Sequence, residues 1–180
     1  EYKSLFNLPF HWSVESAHFA FNEVRDGTHD SPKDYDGEGF PLITSKNLKK
    51  AGLDFGKVKN ISPADHNEIS KRSKVETGDI LFSMIGTIVN GAIVEGDTNF
   101  SIKNVSLFRK NSTVVDENFG NYWLKSNTYQ NWLASKERGG TQKFVSLGVL
   151  RNSPVVLPPL PEQKRIVEKL DSLLAQVDTI

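Results

Sequence analysis

Cysteine is absent from the 180 residues, which excludes disulfides, thiolate metal sites and a cysteine nucleophile. Long apolar runs are absent too. No stretch approaches the roughly 20 residues a membrane-spanning helix needs, and the chain opens on Glu1 with no basic-then-apolar targeting pattern. A cytoplasmic protein without a membrane partner is the expectation. Net charge is also lacking, with 22 basic against 22 acidic side chains, which argues against a uniformly basic nucleic-acid binder.

What is present is a globular composition, 37% apolar and 24% charged, on a chain of ordinary single-domain length. The charge is unevenly spread. Residues 31–60 carry a net +2 and residues 101–160 a net +5, so the two segments make one basic face if they meet in space. The alternative is lysines scattered over a solvated surface. Residues 12–24 suit an opening strand, or a strand plus a short turn, and residues 40–44 a short strand. Ser45 is placed to cap a helical turn over 46–50, stopped by Gly52. Ser62 and Pro63 open a helix reaching Ile69 or Arg72. Residues 80–85 are a continuous apolar strand buried on both faces, followed by strands at 89–94 and 105–108. Residues 119–133 suit one or two amphipathic helices, with Tyr122, Trp123, Tyr129 and Trp132 in the core. Residues 145–150 and 155–157 are the last strand candidates. Without regular β-α alternation the pattern is α+β: a mixed globular domain over 1–157 and a protruding coiled-coil-type helix from 158 to 180. In that helix Ile166, Leu170, Leu173, Val177 and Ile180 recur at spacings of 4, 3, 4 and 3, a heptad seam that Val167 and Leu174 widen. An amphipathic helix folded back on the domain is the alternative.

The stretch Leu157-Pro158-Pro159-Leu160-Pro161-Glu162-Gln163-Lys164-Arg165-Ile166 closely resembles the start of the helical spacer in specificity subunits of type I restriction–modification systems. Asp26-Gly27-Thr28-His29 with Ser31-Pro32-Lys33, then Gly39-Phe40-Pro41-Leu42-Ile43, resemble that family's first recognition block. Gly78-Asp79-Ile80-Leu81 leading to Gly86-Thr87, and Gly139-Gly140-Thr141-Gln142, resemble later ones. The resemblance implies a target-recognition domain that reads one half of a bipartite site in double-stranded DNA. Its helices would dock methyltransferase subunits, which bind S-adenosylmethionine, and a restriction subunit would join for ATP-dependent cleavage; this chain itself would hold no cofactor. With one recognition domain and the beginning of one helix, the chain is either a half-subunit that pairs with a copy of itself or a fragment of a longer chain.

Base edges are read by polar side chains on loops, while phosphate contacts set register. The candidates are Lys33, Thr44, Ser45, Lys46 and Asn47 in the first basic segment; Arg138, Gly139, Gly140, Thr141, Gln142 and Lys143 in the second; and Lys103 with Asn104. Gln142 suits bidentate pairing with adenine and Arg138 suits guanine or phosphate; a simple turn at Gly139-Gly140 is the alternative. No nucleotide-binding glycine loop or D/N-P-P-Y/F motif is present, and the four histidines lack metal-ligand spacing. A non-catalytic subunit is expected, with no metal. His29 is the one histidine to watch, although loop hydrogen bonding accounts for it. The rival reading is a coiled-coil interaction module that dimerises through its helix and reads no DNA.

Overall fold

The computed structural model describes residues 7–84, 91–136 and 144–177. In chain order the elements are β1 (Ser13–Ser16), α1 (Ala17–Ala20), β2 (Val24–Asp26), β3 (Phe40–Ile43), β4 (Leu48–Lys49), β5 (Gly52–Leu53), β6 (Lys59–Ile61), α2 (Pro63–Ser73), β7 (Ile80–Ser83), β8 (Gly91–Ile93), β9 (Ser101–Ile102), β10 (Val105–Phe108), α3 (Glu117–Lys125), α4 (Asn127–Ala134), α5 (Leu147–Arg151), β11 (Pro154–Leu157) and α6 (Leu160–Val177). This is the α+β architecture that the pattern predicts, with a long C-terminal helix.

At the centre stands a four-stranded antiparallel sheet in the order β2-β10-β7-β8. All residues of β7 and β10 are buried, which is why both strands read as unbroken apolar runs. Side chains alternate between faces along a strand, and the two faces feed two cores. Ile80, Phe82 and Phe108 pack with residues of α1, α3, α4 and α5, among them Phe119, Leu124, Tyr129 and Leu150. Leu81, Val105 and Leu107 pack against Ile43 of β3, Leu48 of β4 and Ile102 of β9. A second sheet, β6-β3-β9, supplies that layer; β3 runs antiparallel to β6 and parallel to β9. Strand β1 pairs with β11, closing the N-terminal segment onto the residues before the last helix.

Local signals explain most of the boundaries. Ser62 caps α2 by accepting the Asp65 N–H, with Pro63 in its first turn. Ser126 ends α3 and caps α4, accepting the Tyr129 N–H at 3.2 Å, so the aromatic stretch breaks into two helices. Tyr129 is fully buried and Trp123 and Trp132 pack against the same core.

Two expectations fail. The turn over 46–50 is not helical beyond a 3-10 turn at Ser45–Asn47; Leu48–Lys49 instead pairs with Gly52–Leu53 in a tight hairpin. Gly52, at φ +119°, serves that hairpin rather than stopping a helix. Residues 147–151 form a helix, not a strand, because Ser146 caps them by accepting the Val149 N–H.

The last helix is fastened at its start. Gln163 is fully buried: its Oε1 accepts the Asp116 N–H at 2.9 Å, and its Nε2 donates to the carbonyls of Val114 and Pro158. Val167 is buried and Ile166 half-buried against the domain, and the Tyr122 hydroxyl donates to Asp171. From Asp171 to Val177 every residue is exposed. The heptad seam therefore divides. Ile166 and, in part, Leu170 lie toward the domain, Leu173 and Val177 stand in the open, and Ile180 lies outside the described residues.

Candidate nucleic-acid interface

The ends of the central strands decide which loops become neighbours. Asp26 pairs with Ser106, and Ser83 with Val105. The turn after β2, the residues after β7 and the residues before β10 therefore lie at one end of the sheet. Strand β3 leaves the second sheet beside them: the Lys103 N–H donates to the Ile43 carbonyl at 2.8 Å, and Lys103 bridges Thr28.

This arrangement brings the first and third groups of candidates together. The segment 27–33 crosses β9 at Gly27, where a Cβ would lie 2.1 Å from the Ile102 carbonyl oxygen. Only glycine allows that approach, which gives the second residue of Asp-Gly-Thr-His its reason. The Thr28 N–H donates to Ile102 O at 3.0 Å, the Asn104 N–H donates to Thr28 O at 3.1 Å, and Lys103 Nζ donates to the Ser31 hydroxyl. Lys33 follows two residues on and is exposed, as is Lys46 in the turn after β3. Thr44 and Ser45 are half-buried.

Asn47 is a correction. It is 5% exposed and holds the turn together: its Oδ1 accepts from Thr44 N and Thr44 Oγ1 at 3.0 Å, and its Nδ2 donates to the carbonyls of Asp54 and Lys57. Its side chain is spent on the protein's own turn. Asn104 is also engaged. It adopts φ 53°, and its Oδ1 lies 2.8 Å from His29 Nδ1.

Residues 138–143, with Arg138, Gly139, Gly140, Thr141, Gln142 and Lys143, and the pair Gly86-Thr87 lie outside the described residues. Their described flanks meet, since the Val145 N–H donates to Met84 O at 3.1 Å. Met84 directly follows β7, so Met84 and Val145 lie at the same end of the sheet as the Asp26 turn.

Among the described residues the two basic segments meet only in part. Lys103 joins Lys33 and Lys46, but Arg109 follows β10 at the other end. There it faces Glu76 and Asp79 at 2.6 and 3.2 Å, and donates to Lys74 O. Arg151 donates to Val24 O, and Lys110 lies 3.6 Å from Glu117. Among the described residues, Arg109, Lys110 and Arg151 of the second segment are thus engaged by carboxylates or carbonyls of the fold itself.

The sequence did not single out Asp26 or Arg72. Asp26 is 4% exposed; one carboxylate oxygen pairs with Arg72 from α2, and the other lies 3.0 Å from His29 Nε2. The signals present were the Asp26-Gly27-Thr28-His29 block and the i, i+3 spacing of Asp26 and His29 within it. Among the described residues, no group of three or more His, Asp or Glu side chains could hold a metal ion, and no helix is long and apolar enough to cross a membrane.

Comparison with known proteins bears on the family and the fold. The type I restriction enzyme EcoBI specificity subunit of Escherichia coli is 30% identical over 176 residues, covering 96% of this chain and 37% of that protein. The type I restriction enzyme MjaVIII specificity subunit of Methanocaldococcus jannaschii is 28% identical over 138 residues, 71% of this chain and 32% of that protein. The chain thus spans well under half the length of these relatives. The crystal structure of the HsdS subunit from Thermoanaerobacter tengcongensis superposes with a TM-score of 0.74 at 21% identity, covering 99% of this chain and 46% of that one. The sequence model of one family, described as "Type I restriction modification DNA specificity domain", matches residues 23–180, and the chain belongs to that family.

Proposed function

We propose that this chain reads one half of a bipartite site in double-stranded DNA through the loops gathered at the Asp26 end of the central sheet. It would direct methyltransferase subunits, and with them a restriction subunit, to that sequence. The observation that carries this reading is the convergence of three sequence-distant segments, 27–33, 44–46 and 103–104, at one end of the sheet, in a chain of a DNA specificity family. Loops on a rigid scaffold suit base and phosphate contacts, and Lys33 and Lys46 are exposed there.

In this reading the chain is not itself a catalyst. S-adenosylmethionine and ATP belong to partner subunits, and the complex works in the cytoplasm. The open stripe of Leu173, Leu174 and Val177 on α6 is the surface that meets a partner helix.

Methylation mapping in cells expressing the chain with its methyltransferase subunit tests the reading. A bipartite adenine-methylated motif that disappears on deleting the chain is the expected result, and a palindromic motif marks a self-paired half-subunit. An assembled complex with no methylated motif would leave only an interaction module.

A further inference from the structure

We propose that Asp26, His29 and Asn104 form a latch, closed by the doubly protonated imidazole of His29, that holds residues 27–33 in the geometry that meets DNA. The inference rests on the DNA-reading function proposed above and names its positioning residue.

Both ring nitrogens of His29 face acceptors: Nε2 lies 3.0 Å from Asp26 Oδ2, and Nδ1 lies 2.8 Å from Asn104 Oδ1. An imidazolium donates at both nitrogens, whereas neutral imidazole donates at one and accepts at the other. Protonation therefore completes the pair of bonds, and its loss leaves two acceptors opposed across one edge of the ring. The two anchors come from different parts of the fold. Asp26 ends β2 and is buried, with Arg72 on its other oxygen. Asn104 sits in the turn before β10 at positive φ and already holds the loop by its backbone N–H on Thr28 O. The His29 ring thus ties the loop, the sheet end and the turn beside Lys103 into one body, and Ser31 and Lys33 follow directly.

The groups that act on the ring's charge are Asp26 from β2, Arg72 from α2 and, next to Asn104, Lys103. Asp30 lies on the loop itself, and Asp65, Glu68 and Lys71 of α2 line the open side of the cleft. The hydrogen bond to Asn104, then that to Asp26, hold the imidazole above its ordinary range, against the opposing effects of burial and Arg72. A folded-state value raised in this way means that the latch contributes in full below the unfolded value of about 6.5. That contribution is lost as pH rises through the raised value.

The test measures binding of the chain, assembled with its methyltransferase subunit, to a duplex carrying the mapped motif, from about pH 5.5 to about pH 8.5, where histidine titrates. An NMR titration of the His29 ring in the chain runs beside it. Wild-type affinity is expected to fall by up to about tenfold per pH unit above the His29 transition. His29→Gln removes that dependence. Asn104→Asp, which puts a carboxylate where the amide was and tolerates the positive φ, moves the fall to higher pH. Parallel profiles for all three proteins would overturn the latch, because a purely structural histidine does not shift a pH profile. The ring titration decides independently of DNA: two slowly exchanging ring N–H protons at low pH support the latch, and a single one overturns it. No DNA binding at any pH, with both ring protons seen, overturns the DNA-reading function instead.

Discussion

Asn47 and Asp79 carry the polar chemistry expected of a recognition surface or a reactive site, and each is used to hold the fold. Asn47 satisfies two donors of Thr44 and two carbonyls of the 54–57 turn. Asn47→Ala would leave those groups unpaired in a buried setting, at about 1–3 kcal/mol, so chemical denaturation should detect a loss of that size. Lys46→Ala, one residue away and exposed, should leave stability unchanged and weaken only DNA binding. Asp79 has no exposed surface; it accepts the N–H groups of Glu76 and Lys110 and faces Arg109. Burial pushes its carboxyl up to about 6, a rise partly offset by the Glu76 N–H, by Arg109 and by the Lys110 N–H. A raised folded-state value means the group favours folding most at low pH, and this contribution is lost as pH climbs from about 4 to about 6. Asp79→Asn should remove that component of the pH–stability profile, so that thermal melts of the variant no longer lose stability between about pH 4 and about pH 6.

Helix α6 divides its labour along its length. Its first two turns are bound to the domain by Gln163 and Val167, and its last two turns present Leu173, Leu174 and Val177 to solvent, the last 65% exposed. Gln163→Ala should therefore destabilise the domain by about 1–3 kcal/mol, because the Asp116 N–H and the carbonyls of Val114 and the buried Pro158 lose the partner that a fully buried side chain gave them. Leu173→Glu with Val177→Glu should change the melting of the domain little, since exposed substitutions usually cost within about 0.5 kcal/mol. That double variant should nevertheless abolish self-association or methyltransferase docking, where burying the charges would cost several kcal/mol. Size-exclusion chromatography with light scattering separates the two outcomes. If assembly survives, the open stripe is not the partner surface.

At the scale of the molecule, the two ends of the central sheet do different work. One end gathers the loops of the candidate interface; the other gathers Glu23, Glu76 and Arg109 around the buried Asp79 as an ion-pair cluster. The four residues of β10 separate Asn104 from Arg109, five steps of chain or about 16–17 Å at the usual rise per residue. Charge reversal therefore has opposite consequences at the two ends. Lys33→Glu with Lys46→Glu should weaken DNA binding, with unchanged melting. The salt dependence of affinity should fall by about one unit of slope for each phosphate that is no longer neutralised. Arg109→Glu should instead unfold the domain, by setting a fourth carboxylate among Glu23, Glu76 and Asp79 in place of the arginine they share.

Much of this protein is determined by the sequence alone. The α2 cap at Ser62 and Pro63, the strand buried on both faces at 80–83, the strand at 105–108 and the Leu-Pro-Pro-Leu-Pro-Glu-Gln entry to α6 are local signals, and each acts within a few residues of where it is written. The family itself is legible from such short blocks, in order along the chain. What the tertiary structure decided is everything that depends on contacts distant in sequence. Whether Asn47 faces a base or a carbonyl, whether a given arginine serves DNA or Asp79, and where a periodic helix leaves the domain are settled by which strand ends meet. Only that packing turned the i, i+3 pair of Asp26 and His29 into a junction with Arg72 and Asn104, because hydrogen bonds across 46 and 75 residues of chain have no local pattern to announce them.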